Sequence, residues 1–200
     1  MPAWRALNLA QGGFTVPHAL AVHDDGSGPQ LFLAGIFTSF HGIATNCCAR
    51  FDGSSWSAAS LPAVNELWCL GEFDLGTGPE LFGGGNGVHR RSNGAWTSLP
   101  SPPMLVRGLA VFDAGAGPEL YAVGWTYPGG VFARFTGGAW SVVANSPTGS
   151  LSALAVFDDG SGPALFAGGQ GFPAGGNPGA DVVRWDGANL TAPAAQPDST

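Results

Sequence analysis

One sequence pattern recurs four times along this chain of 200 residues. The last copy shows it best: Phe-Asp-Asp-Gly-Ser-Gly-Pro begins at Phe157, and Arg-Trp-Asp-Gly begins at Arg184. The Gly-x-Gly-Pro element ends at prolines that lie 50, 39 and 45 residues apart, namely Pro29, Pro79, Pro118 and Pro163. A period of this length indicates an array built from one supersecondary unit.

Each copy predicts four short β-strands. In the last two copies, the apolar run 153–157 is typical of a strand covered on both faces, and 165–168, 182–185 and a segment beginning at Trp140 predict the other three. Dipeptides such as Asn93-Gly94 supply the positive φ angles that tight hairpins need. Four antiparallel strands per unit of about 45 residues form the blade of a β-propeller. We therefore predict an all-β, four-bladed propeller, with a β-sandwich or an open β-array as alternatives.

The repeats divide a single predicted domain over residues 1–200. Their approximate limits are 9–59, 60–100, 101–144 and 145–193, followed by a tail at 194–200. Residues 1–8, with Trp4 to Leu7, resemble an isolated fourth strand. The last copy has Leu190 where the others have tryptophan, and Pro193 removes a hydrogen-bond donor. We predict that the N-terminal strand completes the last blade. Alternatively, the repeats belong to a larger ring, completed by a longer chain or a second copy.

Composition excludes several classes of protein. Although the chain has 33 glycines and 16 prolines, 44% of its residues are hydrophobic and occur at fixed places, which argues against disorder. A net charge of −7 argues against a nucleic-acid partner, because phosphate binding needs clustered cations. No apolar run approaches the roughly 20 residues of a membrane span, and no signal peptide is visible at the start.

Several segments resemble known propeller repeats. The glycine doublets at 84–85 and 168–169, each followed by a later aromatic residue, resemble kelch repeats, although Gly35 and Gly124 stand alone in the other two copies. The 158–163 loop is similar to the FG-GAP loops of integrin-type propellers. The full pattern resembles tandem repeats of large, uncharacterised, secreted bacterial proteins. This resemblance implies a propeller and an extracellular location, and it implies no particular activity.

Calcium is an open alternative at two of these loops. FG-GAP calcium loops need several carboxylates at alternate positions. The first and last copies offer Asp24-Asp25 and Asp158-Asp159, whereas the middle copies offer only Asp74 and Asp113. Because these sets are small, we predict no metal and no cofactor.

The three cysteines do not form a recognisable motif. Cys48 aligns with Val88, Phe132 and Val182, so we predict a small buried hydrophobic residue at this position. A disulfide from Cys69 to Cys47 or Cys48, a vicinal Cys47–Cys48 disulfide and metal ligation remain as alternatives.

One acidic and one basic residue recur in every copy, near the same predicted rim. We predict that they form structural ion pairs between blades, with a charged ring for an anionic ligand as the alternative. The acidic residues are Asp24, Asp74, Asp113 and Asp158, and the basic residues are Arg50, Arg90, Arg134 and Arg184.

The loops between the second and third strands vary in length, while the other loops are nearly constant. Variation on one rim of a regular scaffold is typical of a binding face. We predict that the aromatic residues of these loops bind a ligand, or alternatively that they plug the mouth of the channel. They are Phe37, Phe40, His41, Trp125, Tyr127 and Phe172.

The chain contains no Gly-x-Ser-x-Gly elbow, no phosphate-binding loop and no metal-like histidine spacing. We therefore predict a non-catalytic binding module that recognises a glycan or a protein. The alternatives are a structural subunit that self-assembles into a homo-oligomer or filament, and a hydrolase or lyase on the same scaffold.

Overall fold

The computed structural model describes residues 15–61, 63–146, 149–174 and 177–193. The fold is all-β, and four antiparallel sheets of four strands each are arranged as the blades of a β-propeller. The predicted fold class is therefore confirmed. Within the described residues, no helix is long and apolar enough to cross a membrane.

Each blade is a meander in which neighbouring strands follow one another along the chain. The first blade contains β1 (Val16–Asp24), β2 (Pro29–Ile36), β5 (Cys48–Phe51) and β6 (Trp56–Ala58), with a hairpin of β3 (Ser39–Phe40) and β4 (Ile43–Ala44) between β2 and β5. The second contains β7 (Leu67–Asp74), β8 (Pro79–Gly85), β9 (Gly87–Ser92) and β10 (Ala95–Ser98). The third contains β11 (Leu105–Asp113), β12 (Pro118–Thr126), β13 (Gly129–Thr136) and β14 (Ala139–Ser146). The fourth contains β15 (Ser150–Asp158), β16 (Pro163–Ala174), β17 (Asn177–Trp185) and β18 (Leu190–Thr191).

Among the described residues, the fourth strand of the last blade comes from the last repeat itself. β18 is only two residues long and pairs with Arg184 and Trp185 of β17. The segment from Trp4 to Leu7 lies outside the described residues, so its closure of the last blade stays a prediction.

The recurring aspartate shapes the turn between the first two strands of each blade. Asp24 Oδ1 accepts the backbone N–H groups of Gly26 and Gly28 at 2.8 and 2.9 Å, and both glycines have φ near 100°. Only glycine adopts such angles without strain. The same two bonds recur at Asp74, Asp113 and Asp158. These carboxylates thus replace backbone acceptors inside their own turns.

A β-bulge interrupts the first strand of every blade at one position. In β11, Val106 pairs with Gly124 and Gly108 pairs with Val123, so Arg107 is the extra residue. A Cβ atom on Gly124 would overlap the carbonyl oxygen of Leu105, and the equivalent collision would occur at Gly35, Gly85 and Gly169. The second strand of all four copies therefore has a glycine opposite the bulge, and the isolated Gly35 and Gly124 are that glycine.

Consecutive blades pack face to face through apolar side chains. Phe32 and Cys48 of the first blade share a buried cluster with Leu67 and Leu81 of the second, and two similar clusters join the later blades. Tryptophans add hydrogen bonds between blades. Trp96 Nε1 donates to the carbonyl of Ala59 at 2.9 Å, and Trp140 Nε1 donates to that of Pro100 at 2.6 Å.

The three cysteines are free thiols that pack in the apolar clusters between blades. Cys48 is fully buried, as predicted for its position, Cys47 is also buried, and Cys69 is half-buried. Burial raises the pKa of Cys47 to about 11 and the pKa of Cys48 and Cys69 to about 12. Thiols with such high pKa values hold little thiolate at neutral pH, and the thiolate is the nucleophilic form.

Candidate functional site

The structure separates the six aromatic residues predicted to bind a ligand into two groups. Phe37, Phe40 and Phe172 are almost completely buried, which excludes them from direct contact with a ligand. Phe37 and Phe40 pack with Leu33 and Ala49 on the first blade. Phe172 belongs to the cluster between the third and fourth blades. These three residues therefore pack on a blade or between blades, and neither a ligand contact nor a plug at the channel mouth describes them.

The remaining three residues reach the surface to different extents. His41 is half-buried, and its ring lies parallel to Trp56 with centroids 6.1 Å apart. Trp125 is 43% exposed and Tyr127 is 87% exposed, both around the turn that joins β12 and β13. Of the six residues predicted to bind a ligand, Trp125 and Tyr127 are therefore the most accessible.

The bulge positions bring a second group of side chains to the same end of the blades. His18, Trp68 and Arg107 occupy this position in the first three blades, and Ser152 occupies it in the fourth. His18 and Trp68 stack with ring centroids 4.0 Å apart. Arg107 Cζ lies 4.0 Å from the centroid of Trp68, a cation–π contact.

A cavity of about 360 Å³ connects this group with the exposed tryptophan. Its described lining comprises Arg107 and Trp125 from the third blade and Ser150, Leu151 and Ser152 from the fourth. The cavity therefore lies where the third and fourth blades meet. It offers an aromatic face, a cation and two hydroxyl groups, a combination suited to a small polar ligand.

Arg107 is the described arginine whose charge lacks a counter-ion. Arg50, Arg90, Arg91, Arg134 and Arg184 each have a carboxylate oxygen within 4.0 Å, whereas no carboxylate of the described residues comes that close to Arg107. Its Nε is covered from solvent and has no hydrogen-bond partner in the described part of the chain. Arg107 is half-buried and lines the cavity. Because its guanidinium has no carboxylate beside it, it is free to pair with an anionic group that enters the cavity.

Sequence reasoning missed Trp68 and Arg107. Aligning the four copies on their glycine places His18, Trp68, Arg107 and Ser152 in one column, where the residue type changes with every copy. Such a column inside an otherwise repetitive strand is the signal that could have found the site.

The predicted ion pairs between the recurring aspartates and arginines do not form. Arg90 and Arg134 contact the glutamates Glu80 and Glu119 of their own blades, at 3.5 and 3.6 Å. The reason is that the aspartates are engaged by backbone N–H groups of their turns. Asp25, the second aspartate of its loop, lies 3.9 Å from Arg50. Likewise, Asp159 lies 3.3 Å from Arg184.

One ion pair does join two blades. Arg91 of the second blade lies 3.4 Å from Asp25 of the first, and its guanidinium lies over the ring of Phe32 at 5.3 Å. A hydrogen bond from Ser27, together with Arg91 and Arg50, holds the pKa of Asp25 below its usual value.

No group of three or more His, Cys, Asp or Glu side chains in the described ranges could hold a metal ion. The loops considered for calcium use one carboxylate oxygen of Asp24 and of Asp158 to accept backbone N–H groups. A scan against models of known protein families finds no match, and neither does a search of curated proteins.

Proposed function

We infer that this protein is a non-catalytic module that binds an acidic glycan at the rim, in the cavity between its third and fourth blades. The observation that carries this proposal is the presence of a half-exposed tryptophan and an unpaired arginine in one cavity. A sugar ring stacks on an indole through its C–H face. A uronic acid carboxylate matches the guanidinium of Arg107 in charge and geometry.

The lining favours binding over catalysis. The described lining residues, Arg107, Trp125, Ser150, Leu151 and Ser152, include no carboxylate and no histidine. Glycoside hydrolysis commonly uses a pair of carboxylates beside the scissile bond. A tryptophan, an arginine and serine hydroxyls provide stacking, charge and hydrogen bonds, which is the chemistry of recognition.

The resemblance to kelch-like and FG-GAP-like repeats of secreted bacterial proteins supports an extracellular location. Acidic glycans are abundant outside cells, so the proposed location and the proposed ligand are consistent with each other. The net charge of −7 makes Arg107 a local exception on an acidic protein. The positive charge of Arg107, rather than the net charge of the protein, would then attract the acidic ligand.

A glycan array followed by titration calorimetry tests the proposal. Oligogalacturonate is a suitable acidic probe, and a neutral galacto-oligosaccharide of the same length is its control. We expect Trp125→Ala and Arg107→Met each to weaken binding of the acidic probe by about tenfold or more, as the loss of about 1.4 kcal/mol does. Arg90→Met, which removes an arginine outside the cavity, is the matched control. Failure of every acidic glycan to bind, or wild-type affinity in both cavity variants, would overturn the proposal.

A further inference from the structure

Both ends of the stack of blades carry exposed apolar side chains. On the first strand of the first blade, Leu20 and Val22 are 60% and 59% exposed. On the first strand of the last blade, Phe157 is 60% exposed. Exposed apolar residues at two separate strand faces are unusual in a monomer and indicate surfaces that another molecule covers.

Comparison of equivalent positions in the third and fourth blades shows that one face of the last blade is uncovered. Phe157 occupies the position of Phe112 in the third blade, which is only 4% exposed. Val182 occupies the position of Phe132; it is 43% exposed, whereas Phe132 is completely buried. These side chains are covered by the following blade in the earlier repeats. The last described blade presents the same face without that cover.

The first blade presents the opposite half of the interface. Leu20 occupies the position of Leu109, which is only 8% exposed because the second blade packs against it. We call the face of a blade that carries the position of Phe112 its phenylalanine-bearing face, and the face that carries the position of Leu109 its leucine-bearing face. Each internal interface joins the first kind of face to the second kind on the next blade, and at the first interface His23 takes the place of the phenylalanine. The two uncovered faces are therefore one of each kind, and they are complementary.

The internal interfaces also identify the contact that such docking would make. Phe73 of the second blade and Val111 of the third belong to one apolar cluster. By repeat equivalence, Phe157 corresponds to Phe73 and Val22 corresponds to Val111. Docking the last blade on the first blade of another molecule would thus bring Phe157 against Val22.

The long loop of the first blade is compatible with this arrangement. Phe37 and Phe40 cover part of the leucine-bearing face of the first blade. In the fourth blade, the segment between the paired residues Gly168 and Val182 includes the ends of β16 and β17, and it equals in length the segment from Ala34 to Cys48 of the first blade. Its Phe172 is buried in the cluster between the third and fourth blades. A segment of this length therefore contributes a buried phenylalanine to an existing blade interface.

We propose that the phenylalanine-bearing face of the last blade binds the leucine-bearing face of the first blade in a second copy of this chain. Both faces are exposed in one molecule, so they do not cover each other. Two copies that make this contact reciprocally would form a ring of eight blades, at the upper end of the typical range of about four to eight. This inference is independent of the glycan proposal.

Light scattering after size exclusion, in reducing buffer, tests the inference. We expect the eluted wild-type protein to have a molar mass of twice the 20.2 kDa of one chain, or a higher multiple of it. Phe157→Asp and Val22→Asp should each give monomers, because every contact needs one face of each kind. An equimolar mixture of the two variants should regain a dimer, since each supplies the face that the other lacks.

Val142→Asp is the matched control, because Val142 is 48% exposed on the outermost strand of the third blade and outside both docking faces. It should assemble like the wild type, and circular dichroism should show that all variants are folded. A wild-type monomer at every concentration would overturn the inference. So would a dimer that survives either single variant, since a contact between identical faces would do that.

Discussion

His23 Nδ1 lies 2.7 Å from Glu72 Oε2, and this contact joins the first strands of the first two blades. The histidine is buried and the glutamate is partly exposed. At the next interface the equivalent residues are Phe73 and Val111. The first interface thus has a polar pair at the place where the second interface has an apolar pair. The contribution of His23 to stability should therefore depend on the presence of Glu72.

We expect Glu72→Val alone to destabilise the protein by about 1–3 kcal/mol, because it leaves the buried His23 ring without its partner. The double variant His23→Phe with Glu72→Val recreates the apolar pair and should recover most of that loss. Urea unfolding of the wild type, both single variants and the double variant measures the coupling. Equal stability of Glu72→Val and the double variant would contradict this account of the interface.

The inter-blade ion pair should matter more than the pairs within blades. Arg91 is buried between two blades and faces Asp25, whereas the side chain of Arg134 is 37% exposed. We expect Arg91→Leu to cost about 3 kcal/mol, as for removal of one partner from a buried pair. Arg134→Leu should cost less than about 1 kcal/mol. Chemical denaturation of both variants checks this order, and equal losses would argue against a special role for Arg91.

The aspartate of the Gly-x-Gly-Pro turn should act through its acceptor oxygen rather than through its charge. Asp113 Oδ1 accepts the N–H groups of Gly115 and Gly117. We expect Asp113→Ala to lower the free energy of unfolding by about 1–2 kcal/mol. Asp113→Asn keeps a carbonyl oxygen and should lose less than half as much. Thermal unfolding in low and high salt separates the two roles: a large loss in the asparagine variant that salt abolishes would indicate an ionic role.

Stability should fall on mild acidification, partly because of His89. Burial lowers the pKa of this histidine below its usual value, so the folded state favours the neutral ring. The unfolded chain then takes up the proton first, and stability falls as the pH drops below about 6.5. His89→Val, which introduces the residue of the equivalent Val183, should lose less in melting temperature between about pH 7.5 and about pH 5.5. An identical loss would show that other groups carry the effect.

The sequence predicted the blades because their determinants are local and repeated. The apolar first strands, the glycine turns and the tryptophans of the fourth strands all recur at a fixed spacing. The ion pairs were predicted wrongly because proximity on one rim does not decide between competing partners: the backbone of the turn lies closer to Asp24 than any guanidinium does.

The candidate site was only partly predictable for a related reason. Trp125, which lines the cavity, was recognised from the variable loop, while Phe37, Phe40 and Phe172 were placed in the same group although they are buried. Loop length does not reveal which way a side chain packs. Arg107 escaped notice because the bulge that distinguishes it depends on strand register, which is a property of the folded sheet.

The most direct test of the central functional claim is the indole N–H signal of Trp125 during titration with oligogalacturonate, followed by two-dimensional NMR. We predict that this signal shifts progressively with the acidic probe and stays unchanged with the neutral galacto-oligosaccharide. The signals of Trp96 and Trp140, which donate hydrogen bonds between blades, should not move. An unchanged Trp125 signal at saturating acidic probe, or equal shifts with both probes, would contradict the assignment of an acidic glycan site to this cavity.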